Sequence, residues 1–221
     1  MRKSFVVIGL GRFGLKLVEE LSKAKVDVMA IDISEENIVK AGEFTNSAFV
    51  CDTTNEAALK ELGVNNVDHA IVAFGSNLQN TIITTIILKE FGIPKITVRV
   101  DDDFYINVIK KLGATDIVSP QKIAGVRLAN KVLSDSFVDF FNIDRDFSVI
   151  EISVLPTVEP KNIQGLNPRN NYGINVLLIR RDNKSFSPTG ADDILPNDHL
   201  FVFGTTAKVS KFERVINGSQ E

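Results

Sequence analysis

The stretch Val6-Val7-Ile8-Gly9-Leu10-Gly11-Arg12-Phe13-Gly14 decides the fold of this chain. An apolar run breaks into G-x-G-x-x-G and continues with helical spacing. In such a turn Gly9 permits the tight bend, Gly11 lets a pyrophosphate approach the backbone, and Gly14 lets helix and strand pack closely. The free N–H groups of the helix start, at the positive end of its dipole, then face the phosphates. The motif alone is weak, and its context carries the weight. A second apolar run, Val26-Asp27-Val28-Met29-Ala30-Ile31, follows the helix and ends in Asp32, 18 residues after Gly14. That is where a ribose-binding carboxylate belongs.

Outward from this turn, strand and helix patterns alternate as far as residue 134. The periodicity predicts strands at 4–9, 27–32, 47–51, 69–74, 95–100 and 115–118, and helices at 12–24, 35–43, 55–62, 77–91, 104–112 and 121–134. Gly63, Gly92 and Gly113 each follow a helical pattern, as C-terminal caps do. The fold class is α/β: a Rossmann-like, doubly wound parallel sheet over residues 1–134. The helix at 77–91 is rich in Thr and Ile and apolar on more than one face, which predicts burial on two sides, one of them against a second subunit.

The rhythm breaks at 134–143, a segment with three Phe that reads as a connector or hinge helix over 135–146. Beyond it, short strands are expected near 148–154, 174–180, 184–187 and 199–204. A closing helix near 206–216 carries Val209, Phe212, Val215 and Ile216. Residues 147–217 thus form a small α+β domain, marginal in size for standing alone and helped by burial against another copy.

The 221 residues are 44% apolar and 24% charged, with net charge −3, an ordinary globular balance that lacks the basic face of a nucleic-acid binder. The single Cys51 excludes a disulfide framework and points to a reducing compartment. No apolar run approaches the ~20 residues of a membrane span, and no signal peptide precedes the first strand. A cytosolic protein is expected, with no direct membrane insertion.

Arg12 sits in the first turn of the phosphate-facing helix, where a cation opposes the helix dipole unless an anion is near. Its guanidinium can give a terminal phosphate two parallel hydrogen bonds, each contributing about 1.5–3 kcal/mol. Arg99 ends the fifth strand, on the ligand edge; its other reading is an ion pair within Asp101–Asp103. Asp52 and Thr53 follow the third strand, where Asp52 either accepts from an adenine amine or caps the next helix. Ala73, Gly75 and Asn77 follow the fourth strand over the same crevice, and Phe13 and Ile33 complete the candidate nucleotide set. Catalytic equipment is thin. His69 and His199 belong to different domains, no Cys/His cluster has metal-ligand spacing, and no nucleophile elbow or P-loop occurs. A nucleotide site without catalytic groups reads as a sensor.

These residues, together with Asp68-His69-Ala70-Ile71-Val72-Ala73 and Leu112-Gly113-Ala114-Thr115-Asp116, resemble the RCK (regulator of potassium conductance) family, also called Trk-N. Residues 148–216 resemble its C-terminal module, especially Tyr172-Gly173-Ile174-Asn175-Val176 and 198–204. The arginine inside the glycines is similar to that of cytosolic gating subunits of Trk/Ktr potassium transporters. The resemblance implies dimers assembling into an octameric ring beneath an integral-membrane potassium-translocating subunit. It implies N-terminal domains that bind ATP or ADP, alternatively NAD(H), with Arg12 near the terminal phosphate. Related subunits carry a Glu implicated in divalent-cation binding where this chain has Gln121, which offers an oxygen but no charge. Some C-terminal modules bind cyclic di-AMP; the matching positions are Ile163, Asn167, Arg169, Asn175, Val176 and Leu177, with Asn167 replacing an Asp and Gln164 an aliphatic. Arg169 would meet a phosphate, with Ile163 and Val176 against the purine.

The expectation is a nucleotide-gated regulator of potassium uptake, not an enzyme. The rival is a small NAD(H)-dependent oxidoreductase, which needs a proton donor that the sequence does not supply. A redox-sensing transcription regulator would need a helix-turn-helix and a basic face.

Overall fold

Apolar on both faces, Ser4–Ile8 (β1) has to be a central strand, and Val6, Val7 and Ile8 are completely buried. The computed structural model describes residues 3–75, 77–132, 137–143 and 146–218. From β1 the chain runs through Arg12–Lys23 (α1), Asp27–Asp32 (β2), Glu35–Ala41 (α2), Ser47–Val50 (β3), Glu56–Glu61 (α3), His69–Val72 (β4), Leu78–Glu90 (α4), Lys95–Arg99 (β5), Ile106–Leu112 (α5), Asp116–Val118 (β6) and Pro120–Val132 (α6). The six strands are parallel in the order β3-β2-β1-β4-β5-β6. This is the dinucleotide-fold order, with its reversal between β1 and β4. Alternate residues of β1 feed opposite layers: Val6 and Ile8 pack with Leu59, Leu88 and Ile109, whereas Val7 packs with Val18 and Ala41.

Asn55 and Asn77 cap α3 and α4, accepting from the N–H of Ala58 at 3.2 Å and of Asn80 at 3.0 Å. Within α4, no residue from Thr81 to Leu88 is exposed. The burial on two sides is therefore largely met within the chain: Ile82, Ile83, Ile87 and Leu88 join the first core layer, while Thr84 meets Thr53. The helix alone is no argument for a subunit contact.

The second sheet is antiparallel, in the order β11-β10-β13-β8-β7. Its strands are Phe137–Asn142 (β7), Phe147–Ser153 (β8), Asn175–Arg181 (β10), Lys184–Phe186 (β11) and His199–Thr205 (β13). Lys161–Asn162 (β9) pairs with Asp193–Ile194 (β12), and two short helices, Ile163–Leu166 (α7) and Pro168–Tyr172 (α8), precede β10. Thr206–Asn217 (α9) lays Val209, Phe212 and Ile216 on a core with Ile150, Ile152, Ile179, Leu200 and Val202.

The expected hinge helix over 135–146 is instead the strand β7, which pairs antiparallel with β8 from Phe137↔Ile152 to Asn142↔Ser148. Its Phe and Val composition favours a pleated strand over a helix. Residues 133–136 and 144–145, also in that reading, lie outside the described residues, as does Ser76. The compact units divide between Lys122 and Ile123, inside α6, rather than at 134. Residues 121–129 are all exposed, so α6 runs on as a helix after packing has stopped.

Candidate nucleotide-binding site

Three glycines shape the β1–α1 turn. Gly9 has φ +90°, open to glycine at little cost, and its N–H donates to Ile31 O at 2.8 Å. A Cβ on Gly14 would lie 2.0 Å from the Gly9 carbonyl oxygen, so only glycine lets α1 start this close to the strand. A Cβ on Gly11 would meet nothing within 4 Å. The fold itself makes no demand for glycine there, which fits a backbone kept bare for a ligand. Gly11 is the N-cap of the 12-residue α1 and supplies no side-chain cap, leaving the first-turn N–H groups without carbonyl partners.

Asp32 is 9% exposed and ties this turn to the end of β2. Its Oδ2 accepts from Leu10 N–H at 2.5 Å and its Oδ1 from Ser34 N–H at 2.8 Å. A carboxylate has about four acceptor sites, so each oxygen retains one for a sugar hydroxyl. Ile33 beside it is 71% exposed. Arg12 is exposed and, among the described residues, pairs with no carboxylate.

The other predicted positions divide. Ala73 is buried and donates its N–H to Ile8 O at 2.7 Å, which sets the β4 end beside the cradle. Gly75 lies against the Arg99 guanidinium, 3.3 Å from where its Cβ would be. Asn77 spends its side-chain oxygen on the α4 cap. Thr53 is buried, its hydroxyl 3.0 Å from that of Thr84. Asp52 is not the cap of α3; Asn55 is. Asp52 Oδ1 takes the Thr54 N–H at 2.9 Å and the Thr54 hydroxyl at 2.7 Å, and these bonds hold its carboxyl below the usual range. Arg99 realises the ion-pair reading, gripping Asp101 with two nitrogens, and its guanidinium carbon lies 5.5 Å from the centre of the Phe13 ring. With its amide turned to suit these neighbours, Gln121 engages both members of that pair. No group of three His, Cys, Asp or Glu side chains among the described residues is placed to hold a metal ion.

In the second unit, Ile163, Arg169, Asn175 and Val176 line one cavity of about 180 Å³. Pro188, Thr189 and Gly190, which the sequence reading did not single out, line it as well. Asn167 does not line the cavity; it has left-handed backbone, φ +45°, and accepts from Asn170 Nδ2 at 3.0 Å. Leu177 is 45% exposed at the irregularity between Val176 and Leu178, where β10 loses register with β13. It does not line the cavity.

Residues 5–120 match the model of the TrkA-N domain and residues 149–217 that of the TrkA-C domain. The chain is 38% identical over 215 residues to Ktr system potassium uptake protein C of Bacillus subtilis, covering 97% of each chain. It is 33% identical to Ktr system potassium uptake protein A of the same organism, covering 96% of each. The solved GsuK channel shares its fold with a TM-score of 0.71 at 15% identity, over 100% of this chain and 40% of that one. The present chain therefore spans less than half of that structure's length. Two family domains in sequence and full-length similarity to Ktr proteins place this chain in the TrkA-N/TrkA-C (RCK) family.

Proposed function

We propose that the chain is a regulatory subunit that reads adenine nucleotide in its N-terminal crevice and gates potassium uptake by a membrane partner, without turnover. The observation that carries this reading is the cradle itself: a Gly11 whose missing side chain serves no intrachain contact, beneath an uncapped helix start and beside Asp32. Similarity to Ktr proteins over nearly the full length supports the link to potassium uptake. No helix among the described residues is long and apolar enough to cross a membrane; a membrane partner is the proposed translocator. Large apolar side chains stand exposed along α6, with Ile123 59%, Leu128 61% and Val132 72% exposed, and a second copy of the chain is their proposed cover. The proposed location is the cytoplasmic face of the membrane.

ATP and ADP differ by one phosphate, and only contacts that differ between them can shift the protein's conformation. Arg12, exposed at the helix start, is the residue assigned to that difference. Isothermal titration of ATP, ADP and NADH tests the reading. Adenine nucleotide binding is expected, and Arg12→Ala narrows the ATP-to-ADP affinity ratio; an unchanged ratio removes Arg12 from the role. Tighter binding of NADH than of either nucleotide would favour the oxidoreductase reading. The second cavity supports cyclic di-AMP as a further ligand, because four of the six assigned residues converge on it. Arg169→Ala is expected to abolish that binding, and wild-type protein that ignores the compound ends the assignment.

A further inference from the structure

Beside the cradle lies a charged cluster with its own logic. The Arg99 side chain, at the end of β5, is 12% exposed. Its Nε donates to Asp101 Oδ1 at 2.9 Å and its Nη2 to Asp101 Oδ2 at 2.8 Å. Gln121, in the first turn of α6, braces the pair: its amide nitrogen donates to Asp101 Oδ1 at 2.8 Å and its oxygen accepts from Arg99 Nη2 at 2.5 Å. That amide orientation follows from the neighbours, which offer one acceptor and one donor. A guanidinium has five N–H donors: one on Nε and two on each terminal nitrogen. The Nε donor and both Nη2 donors are taken, which leaves the two on Nη1. Bidentate capture of a phosphate needs two nitrogens, and either two-nitrogen edge includes Nη2. Arg99 therefore cannot grip a phosphate with two nitrogens while Asp101 holds the Nε–Nη2 edge and Gln121 the remaining Nη2 hydrogen.

The adjoining cavity, about 180 Å³, sharpens the conflict. It is lined by Gly75, Thr81, Tyr105, Arg99, Asp101 and Asp102 among others. Two carboxylates against one guanidinium make this wall negative overall, which repels an anion.

We propose that Asp101 is a resident counter-ion that competes with the ligand's phosphate for Arg99 and so sets the nucleotide affinity. This rests on the nucleotide reading above. Capture through the Nε–Nη2 edge exchanges Asp101 for phosphate, and capture through the Nη1–Nη2 edge displaces Gln121 from a guanidinium whose charge Asp101 already offsets; on either edge Asp101 lowers the affinity.

The test is calorimetric titration of the full chain with ADP, using Asp101→Asn, Arg99→Ala and the double variant. Asp101 is partly exposed and Asn matches its shape, so the fold is kept. Asp101→Asn is expected to tighten ADP binding by about threefold to tenfold. In the Arg99→Ala background the same change should move affinity less than about twofold. A gain that persists without Arg99, or an equal gain from Asp102→Asn, shows a general charge effect and overturns the proposal. Unchanged or weaker binding by Asp101→Asn, with wild type binding ADP, overturns it as well. Failure of wild type and Asp101→Asn alike to bind ADP overturns the nucleotide reading, and this proposal with it.

Discussion

Gly11 and Gly14 stand three residues apart in one turn, yet their missing side chains answer to different partners. Gly14 is required by the protein: its Cβ would sit 2.0 Å from the Gly9 carbonyl oxygen, backbone that cannot swing aside. Gly11 has ordinary backbone, φ −65° and ψ −174°, and open space above it. Gly14→Ala is therefore expected to cost about 3 kcal/mol of stability or more, through strain at the β1–α1 packing. Gly11→Ala should stay within about 1 kcal/mol of wild type, the scale of an N-cap change, while weakening nucleotide binding by about tenfold or more. Thermal melting and titration calorimetry on the two variants separate stability from binding. Equal binding by Gly11→Ala and wild type would deny that the bare backbone serves a ligand.

Elements were legible where hydrophobic period and caps agreed. The strands and helices of the first sheet fall within a few residues of their expected bounds because each apolar run is closed by a glycine, an asparagine cap or a charged edge. Legibility failed where no hydrophobic period marks the segment. Residues 137–142 read as a hinge because no alternation marks them; their Phe and Val content suits a strand, and β8 supplies the partner that completes it. The two-residue strands β9 and β12 and the short α7 and α8 lack enough residues to show any period. Thr53 is placed by its loop position, and its buried hydroxyl partner, Thr84 on α4, is one that no local pattern announces. A similar long-range effect governs His69 on β4. Its Nε2 lies 2.8 Å from the Thr97 hydroxyl on β5, and its ring packs at 5.6 Å from that of Phe5 on β1. Burial lowers its pKa below the ordinary 6.5, with Lys95 and Lys3 adding to the effect and Asp116 opposing it. The unfolded chain then takes up a proton that the folded chain refuses. The associated stability is complete above about pH 6.5 and declines as the pH falls below that, toward the lowered folded value. Melting temperature should consequently drop more between about pH 7.5 and 5.5 in wild type than in His69→Gln. The carboxyls held low by hydrogen bonds, Asp52, Asp68 and Asp192, lose their contribution in a more acidic range, so they do not blur this comparison. Parallel pH curves for the two proteins would show that His69 is not the titrating group.

At the scale of the whole molecule, the chain holds two separate cores. The first core is shared by two layers of one parallel sheet; the second is a single layer beneath α9, closed by the fully buried Phe212, whose ring meets Tyr172 at 5.4 Å. Among the described residues, none of the buried residues that define one core belongs to the other. Stability should then be lost in parts rather than all at once. Phe212→Ala removes a large side chain from a sealed position and is expected to destabilise the second unit by about 3–5 kcal/mol. The first unit keeps every residue of its core and of its cradle. Differential scanning calorimetry of the variant should show an early transition, absent from wild type at that temperature, ahead of one that remains near its original position. ADP added before the scan should raise only the later transition, since ligand stabilises the part that binds it. A single transition that moves down as a whole, with nucleotide raising all of it, would mean that the two cores unfold as one.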